Sequence, residues 1–376
     1  MNFRRRLFCA LILGSSTAAF VACGGDDDDT TPPAGDAGTD GGPKLDATTD
    51  ATTTDAAKTD AAGDSSTGTD AGDASDSGSD AADGGGEVTL QFDPSGIGSP
   101  DALYWDNTKK VLYIVDDENN QVWTYTDAAG FVKYATVPDN PALDDAGQTK
   151  LNGVTELADG TLVVTRFGYG TGGAIYTIPA DGGAPTTVPN VDGGGRRIEV
   201  TTDPTTGIIY SDSFTKAGGG QAGEVETVNL DSGITVYASG FAKTVGLLVQ
   251  NGAILVSDQT NNVILAVPTD RTQIAASGKT LADGGAFPVY ASVIGPDQLS
   301  AGPNGTIYTD EFLSNYEGGS PQVRQIFADG GVVIPFPTAQ FTSLSDVAYD
   351  PSGSRLFVAD TNGTTVRTIK ILPVAH

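Results

Sequence analysis

Five oxygen-bearing side chains set the chemistry open to this chain: Asp101, Asn152, Glu199, Asp297 and Asp346. Carboxylates and a carboxamide gathered at one point suit a hard cation, Ca2+ or Mg2+, and disfavour Zn2+. The same groups also serve to hydrate a polar channel and to hydrogen-bond neighbouring backbone without any metal, and both readings stand at this stage. Other chemistry is excluded. The single histidine is His376, so a histidine-based triad or a histidine-ligated transition metal has no place in the folded interior. The two cysteines, Cys9 and Cys23, both lie close to the N-terminus, which leaves the rest without a thiol nucleophile or a disulfide.

The elements that must position these residues are legible as a repeated phrase. Asp346 to Ile371, DVAYDPSGSRLFVADTNGTTVRTIKI, reads as three short strands: alternation at Val347 and Tyr349, an Asp-Pro-Ser-Gly turn, the run Leu356-Phe357-Val358 closed by Asp360, then Asn362-Gly363 and alternation to Ile371. Related phrases begin at Pro100, Leu151, Ile198, Val245 and Pro296. Asp101, Gly153, Glu199, Gly246, Asp297 and Asp346 are equivalent, about 46–52 residues apart, a period that suits one propeller blade per repeat. No stretch shows sustained helical apolar spacing, which argues against a βαβ fold. The expected fold is all-β, a six-bladed propeller over residues 87–376.

Outer fourth strands are expected at Phe131–Val137, Ala184–Val188, Ile234–Ser239, Pro288–Val293 and Val332–Phe336. The last repeat has no fourth strand of its own. The segment Val88–Phe92 supplies one, so it is expected to complete the final blade and seal the ring. Five second strands end in Asp: Asp116, Asp212, Asp258, Asp310 and Asp360. A carboxylate there is expected to cap backbone N–H groups of the following turn. The second repeat has Arg166 instead, and a break in a structural rule marks a functional candidate.

Long loops on the channel-mouth face bring Arg166, Phe167, Tyr169, Phe214, Lys216, Phe312 and Tyr316 together. Of these, Arg166, Tyr169, Phe214, Phe312 and Tyr316, with Arg197 of the Arg196-Arg197 pair, are the expected ligand contacts for a small polar or sugar-like molecule. The alternative is that the aromatics pack on the blade tops and that the arginine pair is solvated beside Asp192. Trp105 and Trp123 are expected in the core of the first blade.

The phrases PDAL…LYIVDDENNQVW, LNGVTELADGTLVVT and DPSGSRLFVADTNGTTV resemble the NHL-repeat and SMP-30/gluconolactonase-like six-bladed propellers, over nearly all of residues 88–372. The resemblance implies a divalent cation in the central channel, held by carboxylate and Asn side chains, with one Asp as base. Asn152 in Leu-Asn-Gly and Asp297 in Pro-Asp-Gln match the family motifs, the second usually being Pro-Asp-Gly. Two positions depart from the pattern: Pro100-Asp101-Ala102 replaces a Glu-Gly-Pro signature, and Glu199-Val200 replaces an Asn-Gly. Asp101 and Glu199 would then be substitute ligands.

The N-terminus carries export information. Arg4-Arg5-Arg6, the apolar run Leu7–Leu13 and small residues before Cys23 form a signal peptide, residues 1–22, too short to span a bilayer. Phe20-Val21-Ala22-Cys23-Gly24 resembles a lipobox, implying cleavage before Cys23 and lipidation of its sulfur; plain secretion after a cut near Ala22 is the alternative. Residues 24–86 hold sixteen Asp, two Lys and one large aliphatic side chain, Leu45, out of a chain of net charge −28. Such a segment is expected to be a disordered tether, 23–86 with its cysteine. The expected setting is therefore the cell envelope, with the membrane engaged through the lipid. The acidic chain is expected to be monomeric and to avoid nucleic acid. Two functions are carried forward: a binding module for a small polar ligand or an envelope protein, and a Ca2+-dependent lactone or ester hydrolase with Asp297 as base.

Overall fold

The computed structural model describes residues 88–91, 96–138, 150–168, 172–217, 220–276, 287–312, 320–337, 339, 341–361 and 367–374. The signal-peptide, lipid-site and tether expectations lie outside these residues.

Six four-stranded antiparallel sheets form the blades. The opening strand is β1 (Val88–Gln91). Blade one is β2 (Pro100–Asp106), β3 (Val111–Asp116), β4 (Gln121–Thr126) and β5 (Gly130–Thr136); blade two is β6 (Lys150–Glu156), β7 (Leu162–Phe167), β8 (Ala174–Ile178) and β9 (Thr186–Thr187). Blade three is β10 (Val200–Thr202), β11 (Ile209–Ala217), β12 (Gly220–Asn229) and β13 (Gly233–Phe241); blade four is β14 (Thr244–Gln250), β15 (Ala253–Asp258), β16 (Val263–Pro268) and β17 (Val289–Ser292). Blade five is β18 (Pro296–Ala301), β19 (Ile307–Glu311), β20 (Val323–Ile326) and β21 (Val332–Val333), and blade six is β22 (Leu344–Asp350), β23 (Arg355–Thr361), β24 (Arg367–Pro373) and β1. The first strand of each blade is inner, and each inner strand packs on the next, β22 returning to β2, so the ring is closed.

The seal is the one expected. Strand β1 runs antiparallel to β24 with Val88 opposite Ile371 and Gln91 opposite Thr368. One short helix, α1 (Arg271–Ala276), follows β16; the sequence pattern gave no sign of it because a single turn and a half is too short to develop a periodicity.

Alternation along the strands makes the core. The second strands are buried on both faces, as in Leu162–Phe167 and Arg355–Thr361, because they are sandwiched between neighbouring blades. The core is divided into clusters that each join two blades: Leu247, Ile254 and Val256 of blade four meet Tyr210, Val225 and Tyr237 of blade three. Trp105 and Trp123 follow the same logic. They pack with Phe357 and Ile369 of blade six, and Trp105 stacks on Phe357 at 5.4 Å, so they seal the joint between blades one and six and do not fill blade one alone.

Glycine is required where inner strands approach most closely. A Cβ at Gly153 would lie 2.5 Å from the Ile198 carbonyl oxygen, whose partner is the Gly153 N–H itself. At the equivalent Gly246 the Asp297 carbonyl oxygen would be 2.1 Å away.

Candidate functional site

The repeated aspartates hold the entry to each inner strand. Asp116 accepts N–H bonds from Gly98 and Ser99 at 2.8 and 2.9 Å; Asp212 from Ile198 and Glu199 at 2.9 and 2.8 Å; Asp258 from Ala242 and Lys243 at 2.9 and 3.2 Å; Asp360 from Thr342 and Ser343 at 2.7 and 2.9 Å. The capping expectation therefore needs one correction. Most of these bonds go back to the segment ahead of the inner strand of the same blade, because the second strand ends beside it; Asp116 also caps its own turn by accepting the Asn119 N–H, and Asp258 accepts from the Asn261 side chain of its turn. Asp310 is the exception. It is fully buried and both of its carboxyl oxygens lack a hydrogen-bond partner.

These clamps fix where the channel residues start. The β2–β3 register slips between Pro100 and Ala102, β6–β7 between Leu151 and Val154, β18–β19 between Pro296 and Leu299, and β22–β23 between Leu344 and Asp346. A bulge leaves a residue unpaired and re-aims its side chain. Asp101, Asn152, Asp297 and Gln298 sit in these slips. Glu199 lies just before β10 and Asp346 at the end of the last slip.

Gln298 is the residue the sequence analysis passed over. Its Nε2 donates to Asn152 Oδ1 at 3.3 Å. Blades two and five stand opposite one another in the ring, so this bond spans the channel. Its signal was present in the sequence: Gln298 occupies the position where the resembled family usually has Gly, and a glycine cannot reach across anything.

Two other candidates are also engaged by backbone. Asp346 accepts N–H bonds from Leu103 at 2.5 Å and Val347 at 2.6 Å, joining blades six and one, and Glu199 Oε1 accepts the Val200 N–H at 2.7 Å. Among the described residues no group of three or more His, Cys, Asp or Glu side chains is placed to hold a metal ion. The five candidates share one channel, yet with Asn152 and Asp346 so engaged they do not present a ready-made cation cage.

Electrostatics explain why the channel is unusual. Burial pushes the Asp101, Glu199, Asp297 and Asp346 carboxyls well above the usual carboxylate range, and neighbouring carboxylates add to it: Asp117 for Asp101, Asp212 and Asp297 for Glu199, Asp310 for Asp297, Glu199 for Asp346. Burial likewise raises Asp212 to about 8 and Asp310 to about 7. Two lysines temper the field. Lys150 pairs with Asp117 at 2.9 Å and Lys243 donates to Gln259 at 2.7 Å; their charges act on Asp101 and Asp297 respectively.

The expected ligand contacts are placed differently from one another. Arg166 is fully buried: one nitrogen donates to the Pro138 carbonyl at 3.0 Å, the guanidinium lies 4.9 Å from the Tyr176 ring, and Nε and Nη1 have no partner. Arg197 is also fully buried, held by Glu226 through two bonds of 3.1 and 3.0 Å and by the Asp192 and Gly195 carbonyls at 2.7 and 3.0 Å, so the solvated-pair alternative is overturned for it. Phe214 and Phe312 are buried as well. The structure brings Arg196 and Lys243 over the Phe214 ring, with Arg196 also over Phe167, forming an aromatic shelf capped by basic groups. Tyr169 and Tyr316 lie outside the described residues, as does the side chain of Lys216.

Fold comparison agrees with the ring. A luciferin-regenerating enzyme superposes with a TM-score of 0.55 at 16% identity over 77% of this chain and 95% of the other. A Xanthomonas campestris gluconolactonase gives 0.53 at 17% over 74% and 87%, and the calcium-binding regucalcin of Agrobacterium tumefaciens gives 0.53 at 13% over 76% and 96%. Neither a family model nor a curated protein matches the chain. The chain is thus a six-bladed β-propeller; at these identities the likeness defines the fold alone, and the fold hosts many chemistries.

Proposed function

We propose that this chain is a non-catalytic binding module, presenting the face where the second strands end to a small polar, sugar-like ligand or to an envelope protein. The observation that carries this reading is the Asn152–Gln298 bond across the channel, which occupies a side chain that a metal-dependent relative would need free. Arg196 and Lys243, half-buried over the buried Phe167 and Phe214 rings, are the basic groups that face offers a ligand.

The test is direct. The wild-type chain is expected to hydrolyse aldonolactones no faster than buffer, with or without EDTA, and to give no heat on titration with millimolar Ca2+. Gln298→Gly frees Asn152, and Ca2+ heat is then expected to appear. A second reading, a Ca2+-dependent lactone or ester hydrolase with Asp297 as base, draws on the mutual repulsion of Asp101, Glu199, Asp297 and Asp346, which a cation would relieve. A chelator-sensitive lactonase rate lost in Asp297→Ala would establish that reading and remove the first.

The setting proposed is the cell envelope, with the propeller on an acidic tether anchored by lipid at Cys23. Expression with a radiolabelled fatty acid checks this: label in the wild type and none in Cys23→Ser is the expected result, the variant moving to the soluble fraction.

A further inference from the structure

Beyond the Asn152–Gln298 bond, the inner strands continue toward the turns that join first and second strands. Residues further along them line a cavity of about 520 Å³ at this opposite end of the channel. Its walls are apolar and aromatic: Leu103, Tyr104, Leu247, Leu299 and Tyr349. Two acids, Glu199 and Asp346, also line it. They differ in what they have left to offer. Both Asp346 oxygens accept backbone N–H bonds, whereas Glu199, 8% exposed, uses only Oε1 and leaves Oε2 without a hydrogen bond.

A carboxylate oxygen that no protein group meets, at the end of a largely apolar recess, is left for water, a proton or a cation, and of these an organic cation also covers the apolar walls. The approach is also acidic. An adjoining depression of about 1100 Å³ shares Tyr104, Thr155 and Ala301 with the cavity and carries Asp106, Glu156, Asp159 and Asp203 against Lys109, which is itself paired with Glu156. Such a rim concentrates cations at the mouth.

We propose that this cavity binds an organic cation, a primary alkylammonium with a short apolar tail, the ammonium on Glu199 and the tail against Leu103, Leu247 and Leu299. This site is separate from the ligand face proposed above and does not depend on it. Aromatic rings at Tyr104 and Tyr349 suit a cation better than an anion. The groups that face Glu199 electrostatically are Asp212 from β11, Asp297 from β18, Asp101 from β2 and, by its effect on the other side, Asp346 from β22, all acidic.

The experiment is calorimetric titration of the intact purified chain with n-hexylammonium and, separately, 1-hexanol. Hexylammonium is expected to bind one per chain. Hexanol, lacking the charge, is expected to bind at least ~30-fold more weakly, and Glu199→Gln should remove a comparable factor for hexylammonium alone. Ala301→Trp, a change at the exposed rim that leaves Glu199 untouched, should weaken both ligands and keeps the test available if the first variant does not fold. Equal affinity for the two ligands, no binding of hexylammonium to the wild type, or an unchanged affinity in both variants would each overturn the proposal. Because the test reads Glu199 and Ala301 and no hydrolysis, its failure is distinguishable from failure of the ligand-face reading.

Discussion

Removal of residues 87–93 is expected to lower the melting temperature by roughly 10 °C or more, a loss of several kcal/mol for a domain of this size. The segment contains β1, whose four residues pair with Thr368 to Ile371 as the outer strand of blade six. Without it β24 becomes an open edge, with unpaired N–H and C=O groups ready to recruit another chain. Ring stability would also lose its only covalent link between the two ends of the chain's circle, since β1 arrives from the N-terminal side and β22 to β24 from the C-terminal side. Circular dichroism melts of the two chains, with light scattering to follow association, read the result. A truncated chain that melts with the full one would show that the sixth blade stands on three strands.

A second large effect follows from the buried acids. The folded protein holds Asp310 at about 7 and Asp212 at about 8, against 3.8 for a free aspartate, and burial raises Asp101, Glu199, Asp297 and Asp346 in the same direction. A raised carboxyl makes the native state bind more protons than the unfolded one between the two pKa values, so stability falls as pH rises through that window. The contribution is complete below about 4 and is lost progressively up to about 8. At the acid end, groups such as Asp127, held low by its hydrogen bonds to Arg355, act in the opposite sense. Maximum stability is therefore expected on the acid side, near pH 4 to 5, with melting temperature falling toward pH 8 by on the order of 10 °C. Asp212→Asn combined with Asp310→Asn should flatten the fall, because an amide does not ionise. A melting temperature that rises from pH 5 to pH 8 would contradict the assignment of these carboxyls as buried and proton-bearing.

The clamp residues illustrate why the fold was readable. Asp116, Asp212, Asp258 and Asp360 each satisfy two N–H groups within about 20 residues of their own position. Such local demands recur wherever the blade recurs, so they leave a periodic trace in the sequence. The closing strand was readable for a related reason: the last repeat lacked a fourth member, and one alternating segment stood unassigned at the other end. Even the corrections were local in kind. The aspartates cap the segment before the inner strand, which an unfolded reading places far from them and the hairpin places beside them.

Side-chain fate was decided elsewhere. Arg197 looked like a solvated cation until β12 supplied Glu226, 29 residues away, to accept from its Nε and Nη2. Asn152 looked like a free ligand until ring closure set Gln298, 146 residues on, across the channel from it. Glu199 and Asp346 were alike as acids at equivalent positions, each accepting the N–H of the next residue; only the packing of blade one against blade six brought the Leu103 N–H to the second oxygen of Asp346 and left the second oxygen of Glu199 unclaimed. By itself the sequence determined the number of blades, the turn chemistry and the strand that shuts the circle, because each answers to backbone hydrogen bonding over short separations. Only the tertiary structure decided which charges are spent and which remain available, because that depends on partners brought together by closing the ring, and no spacing along the chain encodes them.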